Sequence, residues 1–150
     1  MNCSACAKPN KSNLIIATKF WHVTVSSRQT YLGRSYVTLK RHCDSVSALT
    51  MEEWSEFIAL TKKLESALKK AFKATTFNWT CLMNNAYLES PANPHVHWHF
   101  RPRYDHAVNF AGMTFDDLEF GYHYNNVEEK QKISPAVKKK IIDKIKQNLE

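Results

Sequence analysis

Residues 94–103, which read PHVHWHFRPR, decide the fold of this chain. The histidines alternate with apolar residues, and this period of two predicts a β-strand over residues 95–101. Successive side chains of a strand point to opposite faces, so His95, His97 and His99 are expected to share one face. The three rings should extend over roughly 13 Å, because each two-residue step advances about 6.6 to 6.8 Å.

A row of imidazoles is suited to chemistry near neutral pH. One ring can attack an electrophile while a neighbour holds a phosphate oxygen or protonates a leaving group. Three histidines could also be the three protein ligands of a catalytic metal ion. The remaining interpretation is a polar outer face of the sheet that takes part in no reaction. The spacing favours chemistry, either metal-based or covalent. Arg101 and Arg103 follow, either as cations that balance a polyphosphate or as an exposed basic turn.

The composition fits one compact domain over residues 1–150. Of these residues, 43% are hydrophobic and 23% are charged, which allows a core to be buried without disulfides. The residues after Met1 show no basic start followed by an apolar run, and no stretch approaches the roughly 20 apolar residues of a membrane span. We therefore expect a cytoplasmic protein with no membrane partner.

The net charge of +7 favours an anionic partner such as a nucleotide, a nucleic acid or an acidic surface. Much of the positive charge lies in residues 130–146. A solvated helix face is favoured there over a nucleic-acid patch, so a nucleic-acid partner is not expected.

The hydrophobic pattern elsewhere predicts an α+β domain. Strands are expected at residues 14–16, 21–25, 36–39, 78–83 and 95–101. Thr50 and Glu53 form a capping-box pattern at the start of a long helix. Ser134 as N-cap and Pro135 at the first helical position start a final helix, whereas residues 102–126 are interpreted as irregular. This order predicts a mainly antiparallel sheet that helices cover on one face.

Residues 94–103 resemble the signature of the histidine triad (HIT) hydrolases and transferases, in which histidines alternate with apolar residues before a Pro-Arg turn. The likeness extends over most of the chain. It includes a Cys-x-x-Cys within an N-terminal segment, residues 1–12, a turn at Gly33 and a strand that ends in LKRH at residues 39–42. The resemblance implies a five-stranded antiparallel sheet with a long packed helix, a C-terminal extension over residues 102–150 with the final helix, and a homodimer.

The resemblance also implies hydrolysis or transfer at a nucleoside α-phosphate. His97 would attack phosphorus and form a nucleotidyl-histidine intermediate, which water or another acceptor then resolves. His99 would contact phosphate oxygens or the leaving group, and the carbonyl of His95 would orient the ring of His97. Asn84 would help to hold the phosphate. The substrates that it implies are diadenosine polyphosphates or nucleoside phosphoramidates.

The chain departs from the family pattern near the expected nucleotide site. Many relatives carry Gly-Gln-Ser or Gly-Gln-Thr where residues 90–92 read Ser-Pro-Ala, and the Pro and Ala lack those polar side chains. The Gly-His pair of many relatives is replaced by Gly33 and Arg34, and an acidic ribose contact falls near Ser26. Asn93 either replaces some of the lost hydrogen bonding or, as we favour, caps the loop. The substrate preference is therefore open.

Cys3 and Cys6 supply two thiolates at a spacing that one tetrahedral zinc ion accepts, and two more ligands must come from elsewhere. In the zinc-bearing relatives these are the histidine that closes the LKRH strand and the first triad histidine, which correspond to His42 and His95. The resemblance thus implies a structural zinc ion that ties the N-terminal segment to the triad. The alternatives are a frayed N-terminus with two free thiols, or Cys43 as a competing ligand.

Four functions remain open on these grounds. The first is a nucleotide hydrolase or nucleotidyl transferase that needs no organic cofactor and no dissolved metal for the attack. The second is a dinucleoside polyphosphate phosphorylase, in which phosphate replaces water as the acceptor. The third is a nucleotide-binding or regulatory module with little turnover, which the departures at Pro91 and Ala92 motivate. The fourth is an enzyme in which the triad binds a catalytic metal.

Overall fold

The computed structural model describes residues 3–122 and 132–149. Its strands are β1 Leu14–Ala17, β2 Trp21–Val25, β3 Ser35–Leu39, β4 Thr76–Thr80, β5 His97–Arg103, β6 Val108–Phe110 and β7 Met113–Phe115, and its α-helices are α1 Met51–Phe72 and α2 Pro135–Lys146. Five strands form one antiparallel sheet in the order β1-β2-β3-β5-β4, and β6 pairs with β7. This architecture confirms the expected α+β fold. None of the described helices is long and apolar enough to cross a membrane.

Both helices begin at the caps that the sequence predicts. Thr50 Oγ1 accepts a hydrogen bond from Glu53 N at 3.2 Å, and the Glu53 carboxylate accepts one from Thr50 N at 2.8 Å. Arg41, just after β3, donates two hydrogen bonds to the same carboxylate at 2.6 and 2.8 Å. At α2, Ser134 Oγ accepts a hydrogen bond from Val137 N at 3.3 Å. The first cap therefore also fixes α1 to the end of β3.

An aromatic layer holds the sheet against α1. Trp21 of β2 and Trp98 of β5 lie against Phe57 of α1, with ring centroids at 5.2 and 4.9 Å. Trp79 of β4 stacks on Phe100 of β5 at 4.2 Å. Trp21, Phe57 and Phe100 are buried in the core, and Trp79 and Trp98 are partly buried and pack against it. Burying each large apolar side chain contributes about 1.5 to 3 kcal/mol. This layer fixes β5 and directs His97 and its same-face neighbours away from α1.

The register arranges polar side chains in rows on the opposite face of the sheet. His99 of β5 pairs with Tyr36 of β3 on one side and with Thr80 of β4 on the other. His97 pairs with Thr38 of β3. Because side chains alternate along each strand, these residues share the face that points away from α1.

A turn built around Gln29 leads into β3. Gln29 is buried, and its Nε2 donates to the carbonyl oxygens of Ser26 at 2.8 Å and Arg34 at 2.9 Å. Its Oε1 accepts a hydrogen bond from Gly33 N at 2.7 Å. One side chain thus satisfies three backbone groups of the turn, and no sequence pattern identified it.

Two strands differ from the sequence predictions by two or more residues at each end. Strand β4 spans Thr76–Thr80 instead of residues 78–83, and β5 spans His97–Arg103 instead of residues 95–101, whereas β1 and β3 differ by one residue at one end. The ladder between these strands runs from the pair of Thr76 and Arg103 to the pair of Thr80 and His99. Hydrogen-bonded pairing therefore sets both ends, and a period of two cannot report its extent.

The interpretation of residues 102–126 as irregular is wrong where the β6–β7 hairpin forms, and residues 123–126 lie outside the described residues. An exposed basic turn at Arg101 and Arg103 is also wrong, because both side chains are buried within β5. Arg103 donates to the Asp117 carboxylate at 2.5 and 3.1 Å. Its charge is therefore balanced inside the protein.

Candidate active site and metal centre

The ring of His97 is fixed by the backbone two residues before it. Its Nδ1 lies 2.8 Å from the carbonyl oxygen of His95. A carbonyl oxygen accepts hydrogen bonds and cannot donate, so Nδ1 carries the proton and donates it. In a neutral imidazole the lone pair then lies on Nε2. This geometry leaves Nε2 of His97 as the atom that can act as a nucleophile.

His99 is held in the opposite tautomer. Arg101 Nη2 lies 3.3 Å from His99 Nδ1, and a guanidinium donates hydrogen bonds without accepting them, so the proton of the neutral ring is on Nε2. Burial, and after it the positive charge of Arg101, lowers the pKa of His99 to about 4. His99 is therefore neutral at pH 7 and offers an N–H donor. Its ring centroid lies 5.1 Å from that of His97.

The four side chains that the sequence predicts as zinc ligands come together. The ligand atoms of Cys3, Cys6, His42 and His95 all lie within 4.8 Å of one another. His95 Nδ1 is 3.4 Å from Cys3 Sγ and 3.5 Å from Cys6 Sγ, and His42 Nδ1 is 3.6 Å from Cys6 Sγ. Tetrahedral zinc, with bonds of about 2.3 Å to sulfur and 2.0–2.1 Å to nitrogen, separates these ligand atoms by about 3.6 Å. The arrangement fits a Cys2His2 zinc site.

His95 is oriented as a ligand by the end of β3. Its Nε2 lies 2.8 Å from the carbonyl oxygen of Leu39, so Nε2–H donates there and Nδ1 faces the two sulfurs. Metal-binding histidines usually make a second hydrogen bond of this kind. Burial lowers the pKa of His95, which keeps its ring neutral as a ligand must be. The competing ligand Cys43 points elsewhere, because its thiol donates to the carbonyl of Ser45 at 3.1 Å.

The triad histidines do not share one metal site. His95 uses one ring nitrogen toward Leu39 and turns the other toward the cysteine sulfurs. His95 lies two residues before the start of β5, and its ring packs edge-on against His42, with centroids 5.4 Å apart. A catalytic metal held by all three rings is therefore excluded by their orientation.

The other residues that were predicted to contact the nucleotide are not bonded to the triad rings within the described ranges. Asn84 is exposed at the start of the short 3-10 helix Asn84–Leu88, and Asn93 is half-buried in the following loop. Ser26 is buried, and its hydroxyl accepts a hydrogen bond from Arg28 N at 3.1 Å. Within the described part of the chain, no hydrogen bond joins these three predicted residues to the triad rings. Their roles toward a nucleotide stay predictions.

Two residues that the sequence did not single out contact the His99 region. Tyr36 lies edge-on to the His99 ring at 5.1 Å, and Thr80 Oγ1 accepts a hydrogen bond from Arg101 Nη1 at 2.8 Å. Each lies on a strand next to β5. Strand alternation marks them as polar-face residues, but the pairing register is needed to place them beside His99.

Comparison with known proteins agrees with this geometry. A family model described as the HIT domain matches residues 8–106. No curated protein sequence gives a significant match. Among solved structures, a hypothetical histidine triad nucleotide-binding protein from Sulfolobus tokodaii has 13% identity and a TM-score of 0.71, and the match covers 98% of this chain and 91% of that chain.

Two other solved structures are similar in fold. A diadenosine triphosphate hydrolase from Plasmodium falciparum, in complex with cyclomarin A, has 16% identity and a TM-score of 0.63, covering 93% of this chain and 77% of that chain. A zinc-bound histidine triad family protein from Mycobacterium smegmatis has 15% identity and a TM-score of 0.53, and the match covers 89% of this chain and 86% of that chain. Because the family model matches well over half of the 150 residues, the chain belongs to the histidine triad (HIT) family.

Proposed function

We propose that the chain is a nucleotide hydrolase or nucleotidyl transferase that acts at a nucleoside α-phosphate. The observation that carries this proposal is the hydrogen bond from His97 Nδ1–H to the carbonyl of His95, which leaves the lone pair on Nε2. An imidazole in this form is a competent nucleophile toward phosphorus. Membership of the HIT family supports the proposal, and so does the fold shared with a diadenosine triphosphate hydrolase.

The proposed reaction has two steps at one phosphorus atom. His97 Nε2 forms a bond to the α-phosphorus with its lone pair, and the leaving group departs with the electrons of the bond that breaks. Water oxygen then attacks the same phosphorus, the P–N bond breaks and its electron pair returns to Nε2, while the attacking water loses a proton to solvent. A nucleoside monophosphate is released. With another acceptor in place of water, the same steps transfer the nucleotidyl group.

His99 acts in this scheme as a hydrogen-bond donor to the phosphate. Its neutral ring carries the proton on Nε2 and lies next to the His97 ring. A donor that is already oriented stabilises the charge that develops on phosphate oxygens without reorganising during the reaction. The guanidinium of Arg101 holds this tautomer in place, so Arg101 acts as a positioning residue.

We infer that Cys3, Cys6, His42 and His95 hold a structural zinc ion. Four protein ligands complete a tetrahedron and leave no position for water or substrate. The zinc-bound relative from Mycobacterium smegmatis supports this choice of metal. When bound, zinc supplies rigidity, since it fixes His95, whose carbonyl orients His97.

A nucleotide-binding module with little turnover is the second candidate. Its support is the loop at residues 90–92, where Pro91 and Ala92 are exposed and carry no hydrogen-bonding side chain. Phosphorolysis is a variant of the first candidate and differs from it in the acceptor. The homodimer and the cytoplasmic location stay predictions that rest on the resemblance and on the sequence.

Intact-protein mass spectrometry tests the proposed function. The protein is incubated briefly with a panel of diadenosine polyphosphates and nucleoside phosphoramidates, with and without inorganic phosphate. The variants are His97→Gly and His97→Asn, and the matched control is His106→Asn, which removes an exposed histidine that pairs with Asp105. We expect a nucleotidyl adduct on the parent and on the control, and none on the two His97 variants.

The outcomes separate the candidates. Turnover that depends on inorganic phosphate would identify a phosphorylase. Nucleotide binding without adduct or turnover across the panel would establish the binding module instead. An adduct that persists in His97→Gly would refute His97 as the nucleophile.

A further inference from the structure

The proposed zinc site is open to solvent on the side of its cysteines. Cys6 and His42 are exposed and Cys3 is half-buried, whereas His95 is buried with 4% of its surface exposed. The ligand set thus joins accessible sulfur atoms in the N-terminal segment to a buried histidine next to the triad. A small reagent dissolved in water can reach the sulfur atoms without opening the core.

The two cysteines are close enough to form a disulfide with each other. Cys6 N donates a hydrogen bond to the carbonyl oxygen of Cys3 at 3.1 Å, so the two residues close a single turn. The Cα atoms at the two ends of such a turn lie within about 7 Å, and disulfides join Cα atoms about 4.4 to 6.8 Å apart. The two Sγ atoms lie within 4.8 Å of each other. The backbone therefore already has a shape that suits a disulfide.

The other two cysteines of the chain are less accessible. Cys43 is buried, and its thiol donates a hydrogen bond to the carbonyl of Ser45 at 3.1 Å. Cys81 is half-buried and packs against the core. A thiol reacts as its thiolate and only where a reagent can reach it. Zinc ligands are thiolates, so Cys3 and Cys6 should react before Cys43 and Cys81.

A disulfide between Cys3 and Cys6 removes two of the four zinc ligands. Zinc binds the thiolate, and a disulfide sulfur carries no negative charge. His42 and His95 remain, which are fewer protein ligands than structural or catalytic zinc sites use. The two histidines alone are therefore not expected to hold the metal.

We propose that Cys3 and Cys6 form a redox switch, in which hydrogen peroxide oxidises the two thiolates to a disulfide and zinc is released. The exposed Cys6 sulfur attacks one peroxide oxygen, so an S–O bond forms while the O–O bond breaks and hydroxide leaves. The Cys3 thiolate then attacks the Cys6 sulfur, so the S–S bond forms while the S–O bond breaks and a second hydroxide leaves. Two protons from solvent convert both hydroxides to water. The two thiolates thus lose two electrons, which the peroxide gains.

The switch acts on the proposed nucleophile through His95. Its Nδ1 faces both cysteine sulfurs, and its carbonyl oxygen accepts the hydrogen bond from His97 Nδ1. Release of zinc removes an anchor on the Nδ1 side of the ring, while the contact of Nε2 with Leu39 remains. The effect on turnover rests on the proposed function, whereas the release of zinc does not.

Peroxide treatment of the zinc-loaded protein tests the switch with measurements that need no substrate. A chromogenic chelator measures the released zinc, and intact mass with peptide mapping locates any disulfide. The matched control is the double variant Cys43→Ala and Cys81→Ala, which leaves Cys3 and Cys6 as the only cysteines of the sequence. The second variant is Cys6→His, which offers zinc an imidazole in place of a thiolate and cannot form the disulfide.

We expect one zinc ion to be released for each disulfide between Cys3 and Cys6, in the parent and in the double variant alike. Cys6→His should keep its zinc at the same peroxide concentration. Added zinc should refill the oxidised protein only together with a reductant. With a substrate found by the adduct assay, oxidation should lower turnover about tenfold or more, as loss of a group that orients a reactive side chain does, with little change in AMP affinity.

Retention of zinc by the oxidised parent would overturn the switch, and so would release of zinc without a disulfide between Cys3 and Cys6. A reduced protein that binds no zinc would overturn it as well. Release that leaves turnover unchanged would overturn the link to His97. Absence of turnover in both redox states would count against the proposed function, and zinc release with the disulfide would still support the switch.

Discussion

Replacing Gly33 with alanine should destabilise the fold at the turn that leads into the site. Gly33 has a φ of 85°, in the left-handed region that alanine avoids. A Cβ added there would lie 2.3 Å from Leu68 Cδ1 of α1 and 3.5 Å from Pro102 Cγ. The first distance is more than an ångström shorter than ordinary van der Waals contact, so Leu68 must move within a packed core.

The expected magnitude has two parts. The left-handed conformation costs an alanine about 1 to 2 kcal/mol. Overpacking at a buried position costs a further 1 to 3 kcal/mol or so. Gly33→Ala should therefore lower the free energy of unfolding by about 2 to 5 kcal/mol, a large part of the 5 to 15 kcal/mol that is typical of domains.

A second glycine separates these two parts. Gly112 has a φ of 78° and no atom within 4 Å of its added Cβ, so Gly112→Ala should cost about 1 to 2 kcal/mol from the backbone alone. Leu68→Val removes the Cδ1 atom that clashes. In the Leu68→Val background, Gly33→Ala should lose most of its packing cost, which gives a coupling energy of about 1 to 3 kcal/mol.

Urea unfolding measures the free energy of unfolding of Gly33→Ala, Gly112→Ala, Leu68→Val and the double variant of Gly33 and Leu68. The zinc concentration is held fixed, because bound metal would otherwise shift the apparent stability between variants. The expected order of stability places Gly33→Ala well below Gly112→Ala. The reasoning fails if the two alanine variants lose the same free energy, or if Leu68→Val does not reduce the cost at Gly33.

Three further predictions concern charge and metal. Glu53→Gln should lower the free energy of unfolding at pH 7 by about 1 kcal/mol. The hydrogen bonds from Arg41, above all, hold the pKa of Glu53 below its usual value. The stability that the charged carboxylate contributes is therefore present above pH 4.5 and is lost as pH falls through the folded pKa. Between pH 7 and pH 3, the free energy of unfolding should fall less in the variant than in the parent. The pKa of His99 should be near 4 by NMR titration of its ring protons and should rise in Arg101→Met, and an unchanged pKa in this variant would refute the assigned effect of Arg101 on His99. Elemental analysis should find one zinc per chain, lost in Cys6→Ser and retained in His99→Asn, and chelation should lower the melting temperature.

The sequence predicts the elements of this fold because their signals are local. The period of two at Trp21–Val25 and the cap at Thr50 depend on neighbouring residues, and the structure has both as expected. The zinc ligands were predictable for a different reason. Their spacing resembles that of a family, and the structure brings all four ligand atoms together.

Features set by contacts between distant residues escaped prediction. The start of β5 at His97 depends on where β3 and β4 can pair with it, which a period of two does not encode. Burial of Arg103 depends on Asp117, fourteen residues away in a segment interpreted as irregular. The role of Gln29 in the turn before β3 likewise requires knowledge of which backbone groups lie within reach of its amide.

The metal site and the proposed nucleophile are joined through one residue, His95. Its Nδ1 faces the cysteine sulfurs, its Nε2–H is held by Leu39, and its carbonyl fixes the tautomer of His97. A displacement of the His95 backbone would loosen the first contact and move the carbonyl together, because both groups belong to the same residue. The precision of the His97 Nε2 position therefore depends on a site that takes no part in the proposed chemistry. Catalytic rate is sensitive to displacements on the order of 1 Å, so zinc occupancy should affect turnover more than nucleotide affinity.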